Sequence, residues 1–290
     1  MKRRIVRSLS AVFAALAATS PALGLPPMWT VEAPGAHLIL FGSLHLLPSG
    51  LAWTPPALAE ALARGDEVWF EIPVDPETQA RGAARLLERG VLPKDDDLFR
   101  RLSPDQAARL RRVGAKEGVS AKSLSRMQPW LADVTLSLVQ DVRAGADPSQ
   151  GVEQQIQSMS PTTASRRSFE TVDEQIDLLA GAPEPDQLAS LESTLGEISD
   201  DPTAYSRILV EWMAGDTAAL ERDALAPMMA ASPAGYRRLV TDRNRRWADR
   251  LTQRLSGAGE VVVVVGVGHL IGPGGVPALL RARGFQVTGP

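Results

Sequence analysis

Five consecutive valines at residues 261 to 265 restrict the possible fold more than any other stretch of this sequence. A β-branched run without polar alternation is typical of a strand covered on both faces, as in parallel sheets. In open α/β sheets, ligands gather at the carboxyl ends of the strands. The residues that follow the valines, in EVVVVVGVGHLIGPGG at residues 260 to 275, are therefore the first candidates for a functional site.

The same arrangement occurs near the N-terminus, in HLILFGSLHLLPSG at residues 37 to 50. Each stretch has an apolar run, then Gly-x-x-His, then aliphatic residues and a Pro/Gly turn. The sequence contains three histidines, and two of them, His45 and His269, stand in this setting. If the two strands are neighbours, both imidazoles face one crevice. His37 opens the first apolar run and is predicted to be structural.

The glycines of the two motifs remove side-chain bulk at the strand ends, which lets another group approach the backbone closely. They are predicted to contact a substrate or to support the residues that do. These glycines are Gly42, Gly266 and Gly268.

Glu71 is a third candidate, because every neighbour in VWFEIP at residues 68 to 73 is apolar. A carboxylate there has to be paired or coordinated. It is either the partner of an arginine at the sheet end or a metal ligand or general base. Two histidines and one carboxylate form a common hydrolytic metal set with open positions for water. No serine nucleophile elbow, P-loop or cysteine nucleophile is visible, so metal-activated water is the simplest hydrolytic option.

A helix predicted over residues 234 to 255 carries polar residues at core-facing positions. At ~100° per residue, Asn244 lies within its apolar stripe and Arg243 lies at the edge. Buried polar groups need partners, so this pair is predicted to hold Glu71 or a substrate carbonyl in the crevice. Alternatively, Arg243 extends along the helix edge towards solvent.

The order of elements predicts an α/β fold with a central mixed sheet, built from two α/β halves with a large helical insertion between them. A hairpin at residues 28 to 42, a helix at 55 to 64 and a strand at 67 to 73 form the first half. The insertion spans approximately residues 76 to 255, with helix starts at Ser103-Pro104 and Thr171-Val172. The valine strand, a helix at 277 to 283 and a strand at 285 to 287 complete the second half.

Residues 1 to 24 read as a signal peptide, with a basic start, a short apolar stretch and a small-x-small end at Ala22-x-Gly24. The mature domain then covers residues 25 to 290 and is periplasmic or secreted, without stable membrane insertion. The alternative is a short membrane anchor, although the apolar stretch is well below the ~20 residues of a membrane span. Cleavage removes four positive charges and moves the formal charge from −3 to −7, which argues against nucleic acid as a partner. There is no cysteine.

Five segments resemble the TraB/GumN family, which includes Tiki-type proteases and PrgY-like pheromone inhibitors. They cover nearly the whole mature chain in order, and the C-terminal block is the most specific. The segments are GSLHLLP (42 to 48), VWFEIP (68 to 73), FETVDEQIDLL (169 to 179), DRNRRWADRL (242 to 251) and VVVVGVGHLIGPGGVPALLRARGFQV (262 to 287).

The resemblance implies a fold similar to erythromycin esterases and haem-binding ChaN-like proteins. It also implies a peptidase that depends on a divalent metal, with Mn or Co favoured and Zn as an alternative. Its metal ligands fall on His45, His269 and Glu71, with Arg243 and Asn244 in support. Glu170 matches a family glutamate and is either structural or functional. At Glu153 many family members have Asp, which puts a role for this residue in doubt.

The leading hypothesis is an exported metal-dependent hydrolase that cleaves a peptide or protein substrate with metal-activated water. In it, Arg243 or Asn244 polarises the scissile carbonyl. The second hypothesis is a binding protein that captures a peptide or haem in the same crevice without turnover. A third is an esterase on a small cyclic ester.

Overall fold

Residues 24 to 290 are described in the computed structural model of the protein, and residues 1 to 23 of the predicted signal peptide lie outside this range. The described chain contains six strands in one sheet. They are β1 (Met28–Ala33), β2 (Ala36–Ser43), β3 (Glu67–Phe70), β4 (Ser165–Ser168), β5 (Gly259–Gly266) and β6 (Gln286–Thr288).

The sheet order is β4-β3-β5-β2-β1-β6. The strands β4, β3, β5 and β2 run parallel to one another, whereas β1 is antiparallel to both β2 and β6. The predicted mixed sheet shared by both halves is confirmed. The valine strand β5 lies at the centre between β2 and β3, so the strands that precede the two Gly-x-x-His motifs are neighbours.

Helix α1 (Pro56–Arg64) connects β2 to β3 and packs on β2 and β5 through Leu58 and Leu62. This is the crossover that parallel strands require. The space left between β2 and β3 is filled by β5, from nearly 200 residues later in the chain. All five valines of β5 are 0–1% exposed, as expected for a strand covered on both faces.

The region between β3 and β5 is helical apart from β4, and it contributes a second apolar core made mainly by the helices Pro104–Glu117, Pro129–Arg143 and Glu184–Asp200. Its described α-helices are α2 (Pro76–Gly90), α3 (Pro104–Glu117), α4 (Ala121–Leu124), α5 (Pro129–Arg143), α6 (Val152–Met159), α7 (Val172–Ala180), α8 (Glu184–Asp200), α9 (Ala204–Ala214), α10 (Thr217–Leu220), α11 (Ala226–Ala231), α12 (Pro233–Tyr236) and α13 (Asp242–Leu255). Helix α14 (Val276–Ala282) follows β5.

The helix-start signals at Ser103 and Thr171 both form complete capping boxes. Two predicted elements differ in detail. Strand β3 ends at Phe70 rather than at residue 73, where Pro73 has no N–H to donate to a ladder. The predicted helix over 234 to 255 is divided by a π-helical turn at Arg237–Thr241, after which α13 begins. None of the helices within residues 24 to 290 combines the length and the apolar character that a membrane crossing needs.

Candidate active site

Four parallel strands end at the same edge of the sheet, and a predicted site residue follows each of them within three positions. The carboxyl ends of parallel strands are where α/β folds place ligands. The sheet topology therefore brings together residues that are far apart in the sequence. They are His45 after β2, Glu71 after β3, Glu170 after β4 and His269 after β5.

The backbone of Gly266 is the point where Glu71 and His45 meet. The Gly266 N–H donates to Oε1 of Glu71 at 2.7 Å. A Cβ atom added to Gly266 would lie 3.2 Å from that oxygen and 3.5 Å from Nε2 of His45. Nε2 of His269 lies 3.9 Å from the same carboxylate oxygen. The two imidazoles and the carboxylate predicted from the sequence thus share one site.

Arg243 connects this group to Glu170. Its Nη2 donates to Oε2 of Glu71 at 2.7 Å and lies 2.8 Å from Oε2 of Glu170, while its Nε donates to Glu170 at 3.0 Å. Its Nη1 lies 3.1 Å from Nε2 of His269. The arginine is 5% exposed, so the alternative that it extends towards solvent is wrong. The salt-bridge interpretation of Glu71 is confirmed.

The Glu71 carboxyl remains ionised in this environment. Burial by itself raises its pKa, but attraction to His269 and Arg243 and the bond from the Gly266 N–H lower the pKa to about 2. Gln175 also donates to Oε2 of Glu71 at 3.2 Å. Of these partners, Arg243 carries the permanent charge, because the pKa of His269 is itself lowered.

His269 is held as a neutral imidazole. Burial lowers its pKa to about 4, although the charge of Glu71 acts in the opposite direction. Its Nδ1 lies 2.6 Å from Oδ1 of Asn244, whose Nδ2 donates to the Gly274 carbonyl at 2.8 Å. The amide orientation fixed by Gly274 makes Oδ1 the acceptor, so the ring proton lies on Nδ1. Nε2 then carries the lone pair that faces Arg243.

His45 differs from His269 in both exposure and partner. Its side chain is 65% exposed, and its Nδ1 lies 2.8 Å from Oε1 of Glu153. Ser43 donates to the same carboxylate oxygen at 2.6 Å. The charge of Glu153 raises the pKa of His45 to about 9. The solvent that reaches this ring screens the attraction.

Glu153 is the site residue whose role the sequence left in doubt. It stands in the first turn of α6, and the chain just before this helix passes close to the backbone of His45. A Cβ at Gly151 would lie 2.3 Å from the His45 carbonyl oxygen, so only glycine permits this approach. The glycine two positions before an acidic residue at a helix start was the signal available in the sequence.

The other motif glycines are packing positions. A Cβ at Gly42 would lie 2.8 Å from Cγ2 of Val267, and one at Gly268 would lie 3.0 Å from Cδ2 of Leu225. A substrate contact at either glycine stays a prediction. Arg243 and Asn244 likewise form hydrogen bonds with other residues of the site. Their predicted action on a scissile carbonyl stays a prediction.

A cleft of about 330 Å³ lies beside His45, and its lining includes Leu46 and Tyr205. A second cavity of about 380 Å³ lies next to it in the helical region, and Thr194, Glu197 and Ile208 line both. Each volume falls in the range of small-molecule and cofactor sites.

The donor atoms of the site do not form a metal centre by themselves. Within residues 24 to 290, no group of three or more His, Cys, Asp or Glu side chains is arranged so that it could hold a metal ion. His45, His269 and Glu71 share the site, but Arg243 lies against two of them. The predicted ion therefore stays a prediction.

The fold and the site define an α/β protein with a buried charge network at the carboxyl ends of four parallel strands. The sequence profile of the TraB/PrgY/gumN family matches residues 27–289, and the chain belongs to this family. It is similar to the uncharacterized protein YbaP of Escherichia coli strain K12, with 26% identity over 257 residues that cover 88% of this chain and 92% of that protein. YbaP of Shigella flexneri matches with the same identity and coverage. No solved structure shows a significant match.

Proposed function

We propose that this protein is an exported hydrolase that cleaves amide bonds in peptides with water as the nucleophile. The observation that carries the proposal is the pairing of an exposed imidazole with a carboxylate, His45 with Glu153, beside a cleft. Positioned His–carboxylate pairs are common proton-transfer groups in hydrolases. Family membership agrees with the predicted fold, while the reaction itself is our proposal.

In the proposed reaction, His45 moves the proton. Glu153 binds the Nδ1 side of the ring, which leaves Nε2 directed to the point where Glu71 Oε1 and Gly266 meet. Because the pKa of His45 is raised to about 9, the neutral ring that accepts a proton from water is a minor form at pH 7 and becomes more abundant as pH rises towards 9. Once protonated, it can return the proton from Nε2 to the leaving amine.

The substrate class follows from the cleft beside His45. Leu46, Tyr205 and Ile208 offer apolar surface, while Asp141 adds a carboxylate. A cleft with mixed apolar and polar walls and a further cavity next to it offers an extended peptide more than one place to bind. The scissile bond would lie at the His45 end, where the proton-transfer group stands.

The predicted divalent metal, Mn or Co with Zn as an alternative, would be held by His45, His269 and Glu71 and would supply a Lewis acid. The ligand types suit such an ion, and both imidazoles have an oxygen atom on Nδ1, as metal-binding histidines commonly do. The contacts of Arg243 do not fit it, because the guanidinium donates to His269 Nε2 and to Glu71. No step of the proposed reaction therefore depends on the ion.

A second candidate is capture of haem or a peptide without turnover. The exposed His45 ring favours it, since haem iron takes an imidazole as axial ligand and Leu44 and Leu46 line the adjoining cleft.

Export is supported by the leader pattern of residues 1 to 24, and N-terminal sequencing of protein from cell fractions tests it.

The hydrolase proposal is tested by incubating the purified protein with a peptide library and identifying products by mass spectrometry. Parallel samples contain EDTA, Mn²⁺, Co²⁺ or Zn²⁺, and ester substrates are offered beside the amides. We expect a reproducible set of cleaved peptides. No cleavage under any condition, together with a Soret band on haem titration, would replace the hydrolase by the binding protein. Cleavage of esters alone would replace it by the esterase.

A further inference from the structure

The guanidinium of Arg243 uses nearly all of its hydrogen-bonding capacity inside the candidate site. Its Nε donates to Glu170, its Nη2 to Glu71, and its Nη1 to the Leu239 carbonyl oxygen and to His269 Nε2. An arginine side chain has five N–H donors, of which four donate hydrogen bonds here, and Nη2 also lies 2.8 Å from Oε2 of Glu170. The side chain is held in place rather than free to turn away.

The surroundings of Arg243 support the same conclusion. Its Cζ lies 4.6 Å from the centre of the Trp247 ring, and Trp247 Nε1 donates to Oε1 of Glu170 at 3.2 Å. The π-helical turn just before α13 places the Leu239 carbonyl within reach of Nη1. Arginine, carboxylates and indole thus form one buried assembly.

A metal ion bound by His269 would need the lone pair of Nε2. Asn244 holds Nδ1, so Nε2 is the free acceptor of the ring, and Arg243 Nη1 already lies 3.1 Å from it. A metal bonds imidazole nitrogen at about 2.0–2.1 Å. An ion there would meet the guanidinium at close range, and two cations without water between them repel strongly.

The two buried carboxylates of the site already have a cation beside them. Glu71 and Glu170 are buried carboxylates, 6% and 8% exposed, and each is paired with Arg243. Buried carboxylates need a cation close by. The guanidinium meets this need for both carboxylates.

We infer that Arg243 is the resident cation of this site and takes the place that the sequence assigns to a divalent metal. The inference deepens the proposed function and rests on it for its catalytic meaning, since it leaves His45 as the imidazole that acts on a substrate. His269 then serves as a hydrogen-bond acceptor that positions the guanidinium.

The first test uses the full wild-type chain labelled with ¹⁵N-histidine, which gives three ring systems to follow. We expect one equivalent of Zn²⁺ to leave the His269 signals unchanged, and calorimetry with Mn²⁺ to show no one-to-one binding. Joint shifts of the His45 and His269 signals at one equivalent, or one divalent ion retained by the purified protein, would overturn the inference.

The second test compares the metal affinity of Arg243→Met with that of Arg246→Met. Arg246 approaches the same Glu170 at 3.5 Å from an exposed position and is the matched control. Removing a cation from the ligand atoms should give Arg243→Met a measurable one-to-one affinity, about tenfold or more above the detection limit that bounds wild type, and should leave Arg246→Met like wild type. Equal affinity in a folded Arg243→Met would contradict the inference, and the wild-type spectra decide the matter if that variant does not fold.

These measurements need no catalysis. Absence of peptide cleavage with unchanged His269 signals would reject the proposed function and retain the cation assignment. Cleavage accompanied by one tightly bound ion would retain the function and reject the assignment.

Discussion

Arg243 Nη2 and Glu71 Oε2 lie 2.7 Å apart in the interior, although 172 positions separate the two residues in the chain. The pair connects the first α/β half to the last helix of the insertion. Because both side chains are about 7% exposed, neither charge can be satisfied by water if the other is lost. The same contact therefore bears on stability and on the chemistry of the site.

Replacing Arg243 by Met is expected to lower the free energy of unfolding by about 3–5 kcal/mol, because it leaves two buried carboxylates without their cation. Urea denaturation followed by circular dichroism measures the change. The control is Arg245→Met, whose exposed side chain pairs with Asp242 at 3.5 Å and should change stability by less than about 1 kcal/mol. Equal losses in the two variants would show that the network contributes no special stability.

The stability of the protein is expected to fall with acid in two overlapping windows. His269 has a lowered pKa of about 4 against 6.5 when unfolded, so its contribution is complete above pH 6.5 and is lost as pH falls towards 4. Glu71, lowered to about 2 from 4.5, loses its contribution below pH 4.5. Melting temperatures measured from pH 7 to 4 should fall more steeply for wild type than for His269→Asn. Parallel curves would mean that His269 is not buried as a neutral ring.

Glu153 is expected to control the protonation of His45. Its charge raises the pKa of the ring, so Glu153→Gln should bring the pKa down from about 9 towards the ordinary value of 6.5. NMR titration of the three histidines measures this directly, with His37 as an internal control that should not move. The same pKa for His45 in both proteins would separate Glu153 from the site.

Gly266 is expected to tolerate no side chain. A Cβ there would lie 3.2 Å from Glu71 Oε1, which is tighter than ordinary contact, and Gly266→Ala should cost about 1–3 kcal/mol through overpacking. Gly274→Ala is the control, since no atom lies within 4 Å of the position of its Cβ. Thermal unfolding of both variants makes the comparison. Equal melting temperatures would show that the end of β5 can accommodate a methyl group.

Much of the fold could be predicted from the sequence because its signals are local. The five valines of β5, the turn at Gly35 and the capping boxes at Ser103 and Thr171 each specify structure within a few residues. The two Gly-x-x-His motifs predicted the convergence of His45 and His269, since parallel neighbours end at one sheet edge.

The contacts of the site were harder to predict because they depend on side-chain positions in three dimensions. No sequence pattern shows that Arg243 reaches both Glu71 and Glu170, or that Asn244 fixes the proton on His269. Glu153 contacts His45 only because Gly151 lets α6 begin against the backbone of His45. Such pairings depend on tertiary packing, which the hydrophobic periodicity of a sequence does not predict.

The most direct test of the account compares peptide cleavage by wild type, His45→Gln and His37→Gln in one assay with EDTA present. Because the His45 side chain is 65% exposed, its replacement should leave the fold intact. We predict a loss of about 10²- to 10⁴-fold in kcat/KM for His45→Gln, the usual contribution of a proton-transfer residue, and unchanged activity for His37→Gln. Full activity in His45→Gln, or loss of wild-type cleavage in EDTA that Mn²⁺ restores, would contradict the account.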